Sequence, residues 1–97
     1  MRFAIILAPE AVEDLDALKA NLRATVRAAI EAHLRHEPRK MSRSRIKKLR
    51  GVDKPQYRLR VDDIRVFYDV TDNTVEILAI VNKAEANAWL TQFANPE

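Results

Sequence analysis

The sequence predicts an α+β domain with the element order β-α-α-β-β-β-α, in which an N-terminal helical hairpin packs on a small, twisted, mostly antiparallel sheet. Three observations support this fold class. An apolar run near the N-terminus has strand composition, the segments after it carry apolar residues at helical spacing, and the second half alternates apolar and polar residues between turn signals. We expect residues 1–97 to form a single domain.

The first three elements precede residue 38. Phe3 to Ala8 is apolar at every position, which predicts a strand buried on both faces. Pro9 suits the first turn of a helix, and acidic residues crowd the positive end of that helix. We expect a break near Asn21, followed by a second helix that ends before Pro38. One stripe of this second helix carries Leu22, Val26, Ile30, His33 and Leu34.

The remaining elements follow a long basic connection. Residues 38–55 predict a loop with at most one short helical turn, which Ile46 and Leu49 attach to the core. Three strands are expected after the connection, and residues 83–93 predict a closing helix. The strands are Gln56 to Val61, Ile64 to Val70 and Val75 to Asn82.

Composition excludes several classes of protein. The 97 residues include no cysteine, which excludes disulfides, thiolate metal sites and cysteine nucleophiles and predicts a cytoplasmic protein. No run approaches the roughly 20 apolar residues of a membrane span, and we expect neither a signal peptide nor a membrane partner. The single glycine excludes a glycine-rich phosphate loop.

The charge is concentrated in the middle of the chain. Residues 38–65 contain eleven Lys and Arg against three Asp and Glu, a net charge of +8, whereas residues 1–37 carry −1 and residues 66–97 carry −4. A basic block of this kind is typical of a protein that binds a polyanion, although a solvated basic loop is the simpler alternative.

A hairpin brings three of these basic residues together. With a two-residue turn at residues 62–63, Arg60 opposes Arg65 and Arg58 opposes Phe67, so that the three arginines share one sheet face. Like charges directly opposite each other destabilise a sheet, and arginine cannot lose its proton to relieve the repulsion. The pattern therefore indicates a phosphate site, in which Phe67 either supports a base or anchors the face.

One other interpretation of the arginines competes with this phosphate site. The arginines can instead form surface ion pairs with the acidic residues of the same strands and turns, which are Asp62, Asp63, Asp69 and Glu76. His33 and His36 lack further ligands at metal spacing, which favours ordinary helix-surface histidines. We expect no metal and no cofactor, so that any phosphodiester cleavage would use the ribose 2′-OH with cationic side chains.

The sequence also resembles a known family. The segment KLRG at residues 48–51, YRLR at 57–60 and DIRVFYDV at 63–70 together resemble the toxins of the RelE/ParE superfamily, over nearly the whole chain. The resemblance implies the RelE-like fold and the toxin half of a bacterial type II toxin–antitoxin pair, with a cognate antitoxin as partner. RelE-like members are ribosome-dependent mRNA endoribonucleases that inhibit translation, and ParE-like members inhibit DNA gyrase.

The resemblance also implies roles for individual residues. Arg58 and Arg60 match the basic residues that engage the phosphate and activate the 2′-OH, and Arg65 matches the arginine that stabilises the transition state. The implied RNA-binding residues are Lys47, Lys48, Arg50, Phe67 and Lys83.

The C-terminal part of the chain departs from the nuclease pattern. Ala84 or Ala86 stands where RelE-type nucleases have an arginine, and Leu90 stands where they have a tyrosine. Lys83 and Trp89 are the candidate replacements. The sequence leaves three possibilities open, namely an mRNA endoribonuclease, a non-enzymatic gyrase inhibitor, and a catalytically degenerate homologue that only binds its antitoxin.

Overall fold

The computed structural model describes residues 1–97 and contains a five-stranded sheet of order β1-β6-β5-β4-β2. The four neighbouring pairs are antiparallel except for β1 with β6, which is parallel. The helices are α1 (Pro9–Asp16), α2 (Ala20–Leu34) and α3 (Ala86–Phe93). The strands are β1 (Ala4–Leu7), β2 (Ile46–Lys48), β3 (Val52–Lys54), β4 (Tyr57–Val61), β5 (Ile64–Val70), β6 (Thr74–Asn82) and β7 (Asn95–Pro96). The α+β prediction is confirmed.

One face of the sheet, here called the core face, is covered by α1 and α2. The buried residues of the two helices, such as Leu15, Val26 and Leu34, join the alternating inward residues of β4, β5 and β6 in one apolar cluster. The opposite face, here called the outer face, is partly covered by α3, whose Trp89 stacks on Phe67 of β5. The predicted alternation in β4 and β5 is therefore confirmed, with Tyr68 fully buried on the core face.

The predicted break between the first two helices lies slightly earlier than expected. α1 ends at Asp16 and α2 begins at Ala20, so the break precedes Asn21. Arg23 supports the break at this position, since its Nη2 donates to the carbonyl oxygens of Leu18 at 2.9 Å and Asp16 at 3.3 Å. These contacts satisfy carbonyl groups that the end of α1 leaves without helical partners.

Two predictions about the secondary structure are wrong. The basic connection is not a simple loop, because residues 46–48 form β2, which pairs Ile46 with Leu59, and residues 52–54 form β3, which pairs with β7. The first strand is not buried on both faces, because β1 is an edge strand whose Ile6 is 53% exposed. In addition, the closing helix begins with a short 3₁₀ turn at Lys83–Glu85.

No helix is both long enough and apolar enough to cross a membrane.

Candidate functional site

A concave cavity of about 620 Å³ opens on the outer face, between β2, β4, β5 and α3. Six of its lining residues are cationic, namely Lys47, Lys48, Arg50, Arg58, Arg65 and Lys83. The others are Leu49, Phe67, Ala86, Asn87 and Leu90, so no carboxylate lines it. We call this cavity the cationic cavity. Its charge and its concave shape suit an anion such as a phosphate group.

The strand register places like charges opposite each other. Arg58 pairs with Lys47 of β2 on one side and with Phe67 of β5 on the other, and Arg60 pairs with Arg65. The predicted hairpin pairing is confirmed. The sheet tolerates two directly opposed pairs of cations here, each of which costs a few tenths to about 1 kcal/mol.

Arg65 is the most constrained of the three arginines. The residue is 8% exposed, and its Nη1 donates to the carbonyl oxygens of Asp62 at 2.8 Å and Ile64 at 3.1 Å. These bonds tie the guanidinium to the β4–β5 turn, where Asp62 adopts a positive φ of 52°. The remaining donors of the guanidinium are left for a ligand in the cationic cavity.

Arg58 carries a charge that the protein does not compensate. Its Nε is buried and has no hydrogen-bond partner. Burial lowers the pKa of Arg58, and the neighbouring charges of Arg65 and Arg60 lower it further. A buried, unpaired donor beside two like charges is unfavourable unless an anion binds it. Arg58 therefore indicates an anion site on the outer face.

The alternative in which carboxylates neutralise the arginines is contradicted. Asp69 and Glu76 are register partners, as predicted, but both form their ion pairs with Lys54, at 3.6 Å and 3.7 Å. Asp62 contacts Arg65 only through its main-chain oxygen. None of the three arginines forms an ion pair.

Two of the predicted site residues stand apart from the rest. Arg60 shares the face with Arg58 and Arg65 but does not line the cationic cavity; its side chain is exposed at the hairpin end. Phe67 lines the cavity yet is only 1% exposed, because the Trp89 ring stacks on it with centroids 5.0 Å apart and planes 6° apart. This geometry favours the anchoring role of Phe67 over base stacking.

The sequence predicts only some of the residues by which α3 lines the cavity. Ala86, Asn87 and Leu90 face the cavity from one side of α3, a spacing that a helical wheel of residues 83–93 would have grouped. Ala84 does not line it. Consequently the α3 side of the cavity carries no arginine or tyrosine, and Lys83 is the one titratable residue there. No cluster of three or more His, Asp or Glu side chains has the arrangement of a metal site.

Comparison with known sequences identifies a matching family. Residues 5–87 match the family model described as the ParE toxin of the type II toxin–antitoxin system parDE. No curated protein sequence is significantly similar to the chain.

Solved structures with a similar fold include toxins and toxin–antitoxin complexes. The chain is 24% identical to a chain of the archaeal RelE–RelB complex from Pyrococcus horikoshii OT3, with a TM-score of 0.70 over 86% of this chain and 97% of that one. It is 21% identical to a mutant of the E. coli toxin RelE in the free state, with a TM-score of 0.70 over 94% of this chain and 93% of that one. It is 21% identical to a chain of the YoeB dimer from Staphylococcus aureus, with a TM-score of 0.58 over 84% of this chain and 97% of that one.

Proposed function

The chain belongs to the ParE toxin family of type II toxin–antitoxin systems, within the RelE/ParE superfamily, and on this premise we propose that it is a ribosome-dependent mRNA endoribonuclease that inhibits translation without a metal ion. One observation carries the proposal: the cationic cavity holds six cations, no carboxylate and the unpaired Nε of Arg58. A phosphodiester of an extended RNA strand supplies the negative charge that this cavity lacks.

In the proposed reaction the ribose 2′-oxygen attacks the adjacent phosphorus, and the bond from phosphorus to the 5′-oxygen breaks. The 2′-OH proton leaves to solvent, the 5′-oxygen takes up a proton, and the products are a 2′,3′-cyclic phosphate and a 5′-OH. Negative charge grows on the phosphoryl oxygens, where Arg58 and Arg65 stabilise it. Lys83 is placed on the α3 side of the cavity, where its ammonium group stabilises the leaving 5′-oxygen.

The remaining cations hold the RNA. Lys47, Lys48 and Arg50 lie on β2 and the turn after it, and their exposed ammonium and guanidinium groups extend the positive surface toward flanking phosphates. Arg60 contributes at the rim rather than at the scissile phosphate. The ribosome, in this proposal, aligns the mRNA, which compensates for a cavity that contains no histidine, tyrosine or carboxylate.

The test is cleavage of ribosome-bound mRNA in a purified translation reaction, mapped by primer extension, with and without a chelator. Cleavage with 2′,3′-cyclic phosphate ends is expected in both conditions. Arg58→Ala should reduce the rate about 10²–10³-fold, as the loss of one transition-state donor does in other enzymes. The matched control is Arg43→Ala, an exposed basic residue outside the cavity. Equal activity of Arg58→Ala and the unmodified protein would refute the site.

One observation favours inhibition of DNA gyrase as a second candidate. Ala86 and Leu90 line the cavity without offering a proton donor, and the matching family model is that of ParE. A supercoiling assay with purified gyrase separates the two candidates. Inhibition of supercoiling without mRNA cleavage supports the second candidate. The absence of both activities supports a homologue that only binds an antitoxin.

We also propose a cognate antitoxin as the protein partner, since the P. horikoshii neighbour is a complex of RelE with RelB. Binding to the folded state alone stabilises a protein by roughly 2.7 kcal/mol at 100 times the Kd. The melting temperature of the toxin should therefore rise with antitoxin concentration, and an unchanged value at saturation would contradict the partnership.

A further inference from the structure

A second cavity of about 490 Å³ lies between α1, β6 and α3 and has the opposite electrostatic character. Its apolar part includes Leu78, Val81, Trp89 and Phe93. Three carboxylates of α1, those of Glu10, Glu13 and Asp14, line it as well, and Lys54 is the one cation. We call this cavity the acidic groove. It shares no lining residue with the cationic cavity.

The groove has an exposed aromatic side chain from α3. Phe93 is 57% exposed, and its ring is tilted by 38° against that of Trp89, with ring centroids 5.6 Å apart. α3 has no fully buried residue, so its apolar side chains pack incompletely on the sheet. Large aromatic side chains in a rimmed groove are typical anchors for a partner.

The carboxylates select the chemistry of that partner. Asp14 is already engaged, since its Oδ2 accepts a hydrogen bond from the Ile80 N–H at 3.0 Å. Glu10 and Glu13 form no ion pair and are exposed. A nucleic acid or an acidic peptide is repelled by this rim, whereas lysine or arginine side chains are attracted to it.

We propose that the acidic groove binds a basic amphipathic segment of a partner protein, with apolar side chains against Phe93 and Trp89 and lysine or arginine side chains against Glu10 and Glu13. Charge complementarity favours this partner, because the rim is acidic in a protein whose net charge is +3. The two cavities share no lining residue, so a segment in the acidic groove leaves the lining of the cationic cavity uncovered. The inference does not depend on nuclease activity.

The probe is a fluorescein-labelled helical peptide of 16 residues with leucine on one face and lysine on the other, compared with a peptide in which glutamate replaces lysine. Fluorescence anisotropy against the full chain should show saturable binding of the lysine peptide. Phe93→Ala should weaken this binding about tenfold, as the loss of an aromatic anchor worth at least 1.4 kcal/mol implies. Phe93 is exposed, so the variant is expected to fold.

Charge reversal completes the test. Glu13→Lys should weaken binding of the lysine peptide several-fold and reduce the salt dependence of that binding. Glu37→Lys should do neither, because it makes the same charge change at an exposed residue outside both cavities. A chemical-shift map that places the peptide on residues of the groove supports the proposal. Equal binding by Glu13→Lys and Glu37→Lys, or an unaffected Phe93→Ala, overturns it.

Discussion

Arg58→Met should stabilise the protein while removing the proposed nuclease activity. The Arg58 Nε is buried without a partner, Lys47 stands directly opposite in the register, and burial together with Arg65 and Arg60 lowers the pKa of the guanidinium. Methionine keeps the apolar stem of the side chain and removes both the charge and the unpaired donor.

The magnitude follows from these contacts. An unpaired buried donor costs about 1–3 kcal/mol. An opposed pair of like charges adds a few tenths to about 1 kcal/mol, reduced here because Lys47 is exposed. After allowing for imperfect repacking, we expect a gain of about 1–2 kcal/mol in the free energy of unfolding. In a domain of this size that corresponds to a melting temperature higher by roughly 4–16 °C.

The assay is thermal and urea unfolding followed by circular dichroism, with Arg60→Met as the control. Arg60 lies on the same face but is exposed, so its replacement should change the free energy of unfolding by no more than about 0.5 kcal/mol. Inorganic phosphate should stabilise the unmodified protein more than Arg58→Met, because the anion fills the site. A variant that is less stable than the unmodified protein, or one that merely equals Arg60→Met, would refute the reasoning.

Four further predictions concern stability. Tyr68→Phe should cost about 1–3 kcal/mol, because the buried Tyr68 hydroxyl donates to the Pro38 carbonyl oxygen at 2.7 Å. Burial also raises the pKa of Tyr68 above its ordinary value, so the unfolded chain releases this proton first, and stability should fall by up to about 1.4 kcal/mol per pH unit above roughly pH 10. Urea titrations from pH 8 to 11 should show a smaller decline in Tyr68→Phe, and an identical decline would contradict this assignment. Asp14→Ala should cost about 1–3 kcal/mol by leaving the Ile80 N–H without its acceptor, while Asp14→Asn, which keeps an oxygen there, should cost clearly less in the same denaturant measurement. Gly51→Ala should lower the free energy of unfolding by about 1 kcal/mol, because Gly51 has a φ of 75°; the added Cβ meets no atom within 4 Å, so a loss well above 2 kcal/mol would point to another cause.

Periodicity predicted the half of the site that lies on regular strands. The alternation of β4 and β5 and the short turn after Val61 determine which residues face outward, so the opposition of Arg60 and Arg65 followed from the sequence. The pairing of Asp69 with Glu76 followed in the same way.

The other half depends on tertiary contacts that a local pattern does not encode. β2 has three residues, too few for a period, and forms because β4 offers an unpaired edge and the core accepts Ile46. The exposed Arg60 and the half-buried Arg58 have the same side chain and lie on the same face of β4. Only the position of β2 and α3 makes one of them a cavity residue, and only the Trp89 ring makes Phe67 inaccessible.

The parallel pairing of the first strand with the sixth has a consequence for synthesis of the chain. Leu7 meets Ile77, seventy positions later, so α1 and α2 have no complete sheet to cover until most of the polypeptide has left the exit tunnel. Closing so long a loop is slow, and the nascent N-terminal half exposes its apolar faces meanwhile. The sheet therefore cannot be completed before β6 is available to pair with β1.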